Sequence, residues 1–283
     1  MLARVRNYSS LIRLNHTVFA LPFALSGALL ASQSSPLTWA RLAWIVAAVV
    51  TARTAAMAFN RLVDARYDAA NPRTADRELP RGLVSRLEAR MLVFVSSLAF
   101  IGVTFMLGFL CFVLSPFALG IIFWYSLAKR FTSYTQIYLG LALAVAPVGG
   151  WLAVDGGGGW TPWLLALGIA MWVAGFDILY ACEDLEFDRG QGLFSIPTRF
   201  GIERSLWISR VFHLVAVISL ASVALVIPLG PLYVVGVSGV AVLLAYEQSL
   251  VRSDDLSRVK EAFDLNGYVG LLYLLTTAAA LYV

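Results

Sequence analysis

Charge is scarce in this sequence. Of 283 residues only 13% are charged while 60% are hydrophobic, and the mean hydropathy is +0.79. A chain so poor in charge cannot solvate a globular surface, which excludes a water-soluble domain and leaves a polytopic membrane protein. Cysteine is scarcer still. Cys111 and Cys182 lie in different apolar segments without metal-ligand spacing, so thiol redox chemistry is not indicated and both read as small core residues. The two histidines are isolated. His16, at the start of the first apolar run, reads equally as a substrate contact or as hydrogen-bonded packing, and His213, alone in the seventh, reads as structural. The net charge of +4 and pI near 9.2 come from basic residues in short loops between apolar runs. That is the positive-inside pattern of a membrane protein, with no nucleic-acid partner implied.

Apolar segments run at roughly 14–32, 39–59, 87–108, 111–128, 136–153, 162–182, 206–227, 231–250 and 266–283, each near the ~20 residues a helix needs to cross a bilayer. Nine transmembrane helices are therefore expected. Arg4, Arg6 and Arg13 before the first segment superficially mimic a secretory signal, but eight further spans and the His16-Thr17 pair favour a retained helix. Nearly uncharged turns, such as Gly156–Gly159 and Pro228-Leu229-Gly230-Pro231, alternate with charged ones. All but Arg41 and Arg53 of the 21 Lys and Arg fall before the first span or in or beside the charged loops, which places that side in the cytoplasm and the C-terminus outside. Without a transit sequence, the simplest location is a prokaryotic plasma membrane.

The acids are concentrated in two places. Asn60-Arg61-Leu62-Val63-Asp64-Ala65-Arg66-Tyr67-Asp68 closes the second apolar run, and Tyr180-Ala181-Cys182-Glu183-Asp184-Leu185-Glu186-Phe187-Asp188 closes the sixth. Both carry Asp-x-x-x-Asp. A spacing of four advances about 400° along a helix, so each pair of carboxylates shares one face. Asn60 joins Asp64 and Asp68 on theirs; Asp177, Tyr180, Asp184 and Asp188 follow an i, i+3, i+7, i+11 pattern, which also stays on one face. Two opposed stripes of hard oxygen ligands suit Mg²⁺, which takes one or two carboxylates plus substrate phosphates. Nearby arginines and Lys129 suit the phosphates themselves. Any one of these acids could be a solvated loop residue. Two equivalent pairs at helix ends, with Asp177 deeper in the membrane, argue for a binding site. Each motif ends the second helix of a group of four, which predicts two four-helix halves plus a ninth helix around a central cavity. A diphosphate held beside an apolar bundle implies an amphiphilic substrate with a polyprenyl tail.

Asn60-x-x-x-Asp64-x-x-x-Asp68 followed by Asn71-Pro72-Arg73-Thr74-x-x-Arg77, and Gly175-Phe176-Asp177-Ile178-x-Tyr180-Ala181-x-x-Asp184-x-x-x-Asp188 followed by Gly192-Leu193-x-Ser195-Ile196-Pro197, resemble the signatures of the intramembrane aromatic prenyltransferases of the UbiA superfamily. Within it they are most similar to the 4-hydroxybenzoate polyprenyltransferases. His16-Thr17-x-Phe19-x-Leu21-Pro22-Phe23 and Phe263-x-x-Asn266-Gly267-Tyr268 extend the resemblance over nearly the whole chain. It implies one membrane-embedded domain over residues 1–283 that transfers a prenyl group from polyprenyl diphosphate to an aromatic acid acceptor, with Mg²⁺ as cofactor and membrane lipid around it, in lipid-quinone biosynthesis. By that likeness Asp64, Asp68, Asp184 and Asp188 are metal ligands, while Asn60, Arg73, Arg77 and Lys129 bind the diphosphate. Glu183 ranks below Asp184 because it points about 100° away.

Arg53 lies two turns deeper than Asn60, where it suits the acceptor carboxylate, and Asp177 suits the phenol; alternatively the two form an ion pair between spans two and six. Tyr125 and Tyr180 read either as ring faces that steady an allylic cation or as interfacial anchors. Other acceptors (futalosine-derived, naphthoate or a glycerol-phosphate lipid) stay open. An ion-coupled carrier is the rival class, but its polar residues belong near the midplane on broken helices, whereas these acids cluster at helix ends.

Overall fold

A computed structural model describes residues 7–8, 10–11, 19–155 and 157–282. The described residues form α1 (Leu21–Ala31), α2 (Trp39–Ala70), α3 (Arg86–Leu107), α4 (Phe109–Ala128), α5 (Thr135–Leu152), α6 (Thr161–Ala181), the short α7 (Leu185–Gly190) and α8 (Ile196–Phe200), α9 (Ile202–Ser222), α10 (Pro231–Leu250) and α11 (Val259–Tyr282). Eight of these are long and apolar enough to cross a membrane. The first expected span overlaps the eleven-residue α1; its predicted start, with His16, lies outside the described residues.

Helix ends follow local chemistry. The Thr38 hydroxyl accepts from the Arg41 amide at 3.2 Å and starts α2. Ser85 and Glu88 form a reciprocal capping box that starts α3. Between α3 and α4 only Gly108 intervenes, at φ 130°, a conformation that disfavours any side chain. α2 does not end with its apolar run. It continues for 32 residues to Ala70, so its inner half crosses the membrane and its outer half carries the first acidic motif beyond it.

The spanning helices form a ring in chain order. Each packs on its successor, from α1 through α6 to α9, α10 and α11, and α11 returns to pack on α1. The two acidic motifs stand at the ends of α2 and α6, the second helix of each half, and α11 closes the wall. In lipid, apolar burial alone does not drive helices together, and close backbone approach over small residues takes its place. A Cβ on Gly27 would lie 2.2 Å from the Pro147 carbonyl oxygen, one on Gly150 2.0 Å from that of Ala24, and one on Gly140 2.2 Å from that of Ala170. These contacts bind α1 and α6 tightly to α5. Outside the ring, large apolar side chains such as Phe94, Phe105, Phe109 and Trp207 are exposed, as a lipid-facing surface requires.

Candidate active site

The outer half of α2 projects Asn60, Asp64 and Asp68 along one face into a polar pocket of about 250 Å³. Helical spacing alone accounts for this alignment. Opposite stands the end of α6, where the helix does not run on into the second motif. The amides of Cys182, Glu183, Asp184 and Leu185 bond to carbonyls three residues back, tightening the chain into a turn before α7 begins. The expectation that Asp177, Tyr180, Asp184 and Asp188 share one continuous helical face is therefore corrected. Asp184 precedes α7 and Asp188 sits within it, yet all four side chains still line the polar pocket.

Three of the five acids that line this pocket, Asp64, Asp68 and Asp184, meet basic side chains. Asp64, only 4% exposed, accepts from Lys129 Nζ at 2.8 Å and from Arg130 Nη2 at 2.9 Å, with the Asn60 amide at 3.3 Å. Asp68 accepts from Arg77 Nη1 at 2.7 Å. Asp184 accepts from both Arg73 Nε at 3.1 Å and Arg73 Nη2, and from Asn71 Nδ2 at 3.1 Å. Arg73 also lies over the Tyr180 ring, 4.8 Å from its centre, and donates to the Tyr180 hydroxyl. Asp188 has no ion pair among the described residues. Burial and the neighbouring Asp184 charge push its carboxyl up to about 6, against the pull of Lys129 and Arg73.

Arg130, Asn71 and Ser126 were not among the predicted site residues. Arg130 also donates to the Val63 and Ser126 carbonyls at 2.8 Å, so it braces the end of α4 against α2. Ser126 approaches the Asn60 amide at 3.4 Å. The available signal was the Lys129-Arg130 pair where an apolar run stops, a place where cations satisfy terminal carbonyls. Glu183, ranked below Asp184 from its direction, lines neither cavity among the described residues.

Beneath the polar pocket lies an apolar cavity of about 610 Å³, lined by Phe19, Ala48, Ala52, Phe100, Leu107, Ile122, Val173, Phe176 and others. Asn60, Arg77, Tyr125, Leu139, Asp177 and Tyr180 line both spaces, which makes them one chamber with a charged mouth and an oily interior. Arg53 lines the apolar part. Arg53 and Asp177 thus reach the same chamber from α2 and α6, and the ion pairs among the described residues do not join them. Tyr125 and Tyr180 face this chamber instead of serving only as interfacial anchors. His213 packs against Gly175, where a Cβ would come within 2.2 Å of its ring, and bonds to Gln248 at 3.0 Å; it is a packing residue.

Among the described residues no three acids converge on one point as a metal site; the basic partners stand between them. The donor set nevertheless fits a hard divalent cation. Five carboxylates and the side-chain amides of Asn60, Asn71 and Gln136 line one pocket, and Asp68 keeps Oδ2 buried without a hydrogen-bond partner.

Known proteins resemble this chain in sequence and in fold. The model of the UbiA prenyltransferase family matches residues 20–275. A 4-hydroxybenzoate octaprenyltransferase of Vibrio campbellii is 30% identical, over 95% of this chain and 92% of its own. One of Vibrio atlanticus is 32% identical over 79% and 78%. Among solved structures, a UbiA homolog from Aeropyrum pernix K1 in its apo form is 36% identical, with a TM-score of 0.85 over 93% of this chain and 96% of that one. A UbiA homolog from Archaeoglobus fulgidus bound to GPP and Mg²⁺ shares the fold, with a TM-score of 0.72 at 19% identity over 98% of this chain and all of that one. A helical ring in the membrane, twin acidic motifs at its mouth and a match along almost the whole chain lead to one assignment: the protein is a prenyltransferase and belongs to the UbiA family.

Proposed function

We propose that the protein transfers a polyprenyl group from its diphosphate to the ring of an aromatic acid of the 4-hydroxybenzoate kind, in a Mg²⁺-dependent step of lipid-quinone biosynthesis. One observation carries the reading. The acid-lined and apolar spaces are a single chamber, suited to a substrate with a charged head and a hydrocarbon tail. The names borne by its relatives support the acceptor class. The distribution of Lys and Arg supports an integral membrane protein whose active site faces the cytoplasm, and the closed ring supports a single working domain over the chain.

In this reading Asp64, Asp68, Asp184 and Asp188 hold Mg²⁺, which when bound neutralises the diphosphate as a leaving group. Arg73, Arg77 and Lys129 exchange their carboxylate partners for phosphate oxygens, with Asn60 donating beside them. Their hydrogen bonds strengthen as negative charge gathers on the departing oxygen, so they favour the transition state over the bound substrate. The C–O bond breaks and leaves an allylic cation, which the faces of Tyr125 and Tyr180 steady. Arg53 holds the acceptor carboxylate, and Asp177 accepts from the phenol and aims the ring. The carbon ortho to the phenol attacks, a C–C bond forms, and the ring proton passes to the released diphosphate, which restores the aromatic ring. The apolar lining keeps out water, which would otherwise capture the cation.

The test is prenyl transfer by the purified protein in detergent, with geranyl diphosphate and 4-hydroxybenzoate, with and without Mg²⁺, beside Asp64→Ala and Asp184→Ala. Ring product that needs Mg²⁺ and vanishes in both variants supports the reading. Diphosphate release without ring product moves the acceptor to another class, such as a naphthoate or a glycerol-phosphate lipid. Substrate that is neither bound nor consumed overturns the reading in favour of a carrier.

A further inference from the structure

Glu247, in the last turn of α10, is 1% exposed, and no basic residue pairs with it among the described residues. Its Oε1 accepts from Asn266 Nδ2 at 3.0 Å, and Asn266 Oδ1 accepts from Trp172 Nε1 at 2.7 Å. Its Oε2 is buried without a hydrogen-bond partner. An acid enclosed among membrane helices is costly, and a leucine would fill similar volume without that cost. The polar chain must therefore do something that packing does not.

What it fixes is Trp172. The Trp172 indole, 1% exposed, meets Phe176 edge-on with ring centres 5.2 Å apart; Phe176 meets Phe263 edge-on at 5.7 Å, and Phe263 meets Tyr180 at 4.9 Å. Phe176, Phe263 and Tyr180 line the apolar space around Asp177, where it joins the polar pocket. Asn266 also donates to the backbone carbonyl of Phe263 at 3.3 Å, so both ends of this aromatic wall are tied to one amide.

We propose that Glu247 is a positioning residue: through Asn266 and Trp172 it sets the Phe176–Phe263 wall, which seals the reacting carbon from water. The proposal rests on prenyl transfer as the reaction. Its consequence is a matter of partition. With the wall in place the allylic cation goes to the acceptor ring. With the wall loosened, water adds to the cation and loses a proton to give the free prenol. The diphosphate contacts, on α2, the turn after it, the end of α4 and the α6–α7 corner, lie outside the relay from Glu247 to Phe176 and Phe263.

The experiment measures prenol against ring product, with geranyl diphosphate and 4-hydroxybenzoate, for the wild type, Glu247→Gln, Glu247→Leu and Trp172→Phe, with thermal melting of each in detergent. Glu247→Gln keeps the acceptor for Asn266 and should match the wild-type ratio. Glu247→Leu and Trp172→Phe should raise the prenol share, and product kcat should fall by about tenfold or more from misplacement of the wall, with donor KM unchanged. Trp172→Phe keeps an aromatic ring, so it reports on the relay even if Glu247→Leu does not fold. A wild-type ratio in the folded variants, whatever their melting temperatures, overturns the proposal. If the wild type itself cleaves the donor without making ring product, the acceptor assignment fails separately. The relay is then judged by prenol formation alone: faster in the variants supports it, and an unchanged rate overturns it.

Discussion

Arg73 grips Asp184 with Nε and Nη2 while its remaining nitrogen meets the Tyr180 hydroxyl. One planar guanidinium thereby ties the turn after α2 to the corner between α6 and α7, joining the two acidic motifs before any substrate arrives. The same fork geometry suits a phosphate, and a lysine can reproduce only its charge.

Arg73→Lys should consequently lower kcat/KM for the prenyl diphosphate by about 10²-fold, as for loss of one preorganised donor to a developing oxyanion. Acceptor KM should stay within about twofold, because the acceptor end of the chamber is not touched. Steady-state kinetics with each substrate varied in turn checks both.

Arg53→Ala should produce the opposite pattern. A hydrogen bond to a charged group contributes about 1.5–3 kcal/mol, so acceptor KM should rise by roughly 10- to 150-fold while Mg²⁺-dependent cleavage of the donor persists. An unchanged acceptor KM would remove Arg53 from the acceptor site.

Asp188 provides a pH test. Its carboxyl is pushed up to about 6 by burial and by Asp184. A raised value means that the group is protonated below about pH 6 and ionised above it, and a metal must displace that proton. The Mg²⁺ concentration for half-maximal activity should be level above about pH 7 and climb as pH falls through 6. Asp188→Asn should weaken Mg²⁺ at every pH and flatten this dependence. A wild-type curve flat from pH 7.5 to about 5.5 would contradict the assignment.

Gly150→Ala tests how the ring is held. Its added methyl would lie 2.0 Å from the Ala24 carbonyl oxygen, and backbone cannot yield as a side-chain tip can. We expect α1 and α5 to separate, with a loss of about 1–3 kcal/mol for the overpacked contact. Thermal unfolding in detergent measures the shift, and Gly149→Ala, where nothing lies within 4 Å, is the control.

Much of the site was legible because helical periodicity is a local property. Asn60, Asp64 and Asp68 align on α2 through spacing alone, and the alternation of charged and uncharged loops marked the helix boundaries. The corner at Cys182–Leu185 was not legible. No glycine or proline announces it; a tight turn forms there, and Asp184 is held by Asn71 and Arg73 from a distant turn. Arg130 was hidden for a related reason, since whether it reaches Asp64 alongside Lys129 depends on how the chain turns after α4. Glu247 reads in sequence as an ordinary acid near a helix end, and only the packing of α10 against α11 encloses it.

The closure of the ring between α11 and α1 sets an order on biosynthesis. A ribosome delivers every acid of the site by Asp188, and by then it has also delivered every described residue that lines the apolar cavity except Phe263. α11 comes last, carries that ring to Phe176 and Tyr180, and closes the ring of helices on α1. The final helix therefore adds one aromatic side chain to a chamber whose walls and charges are already made.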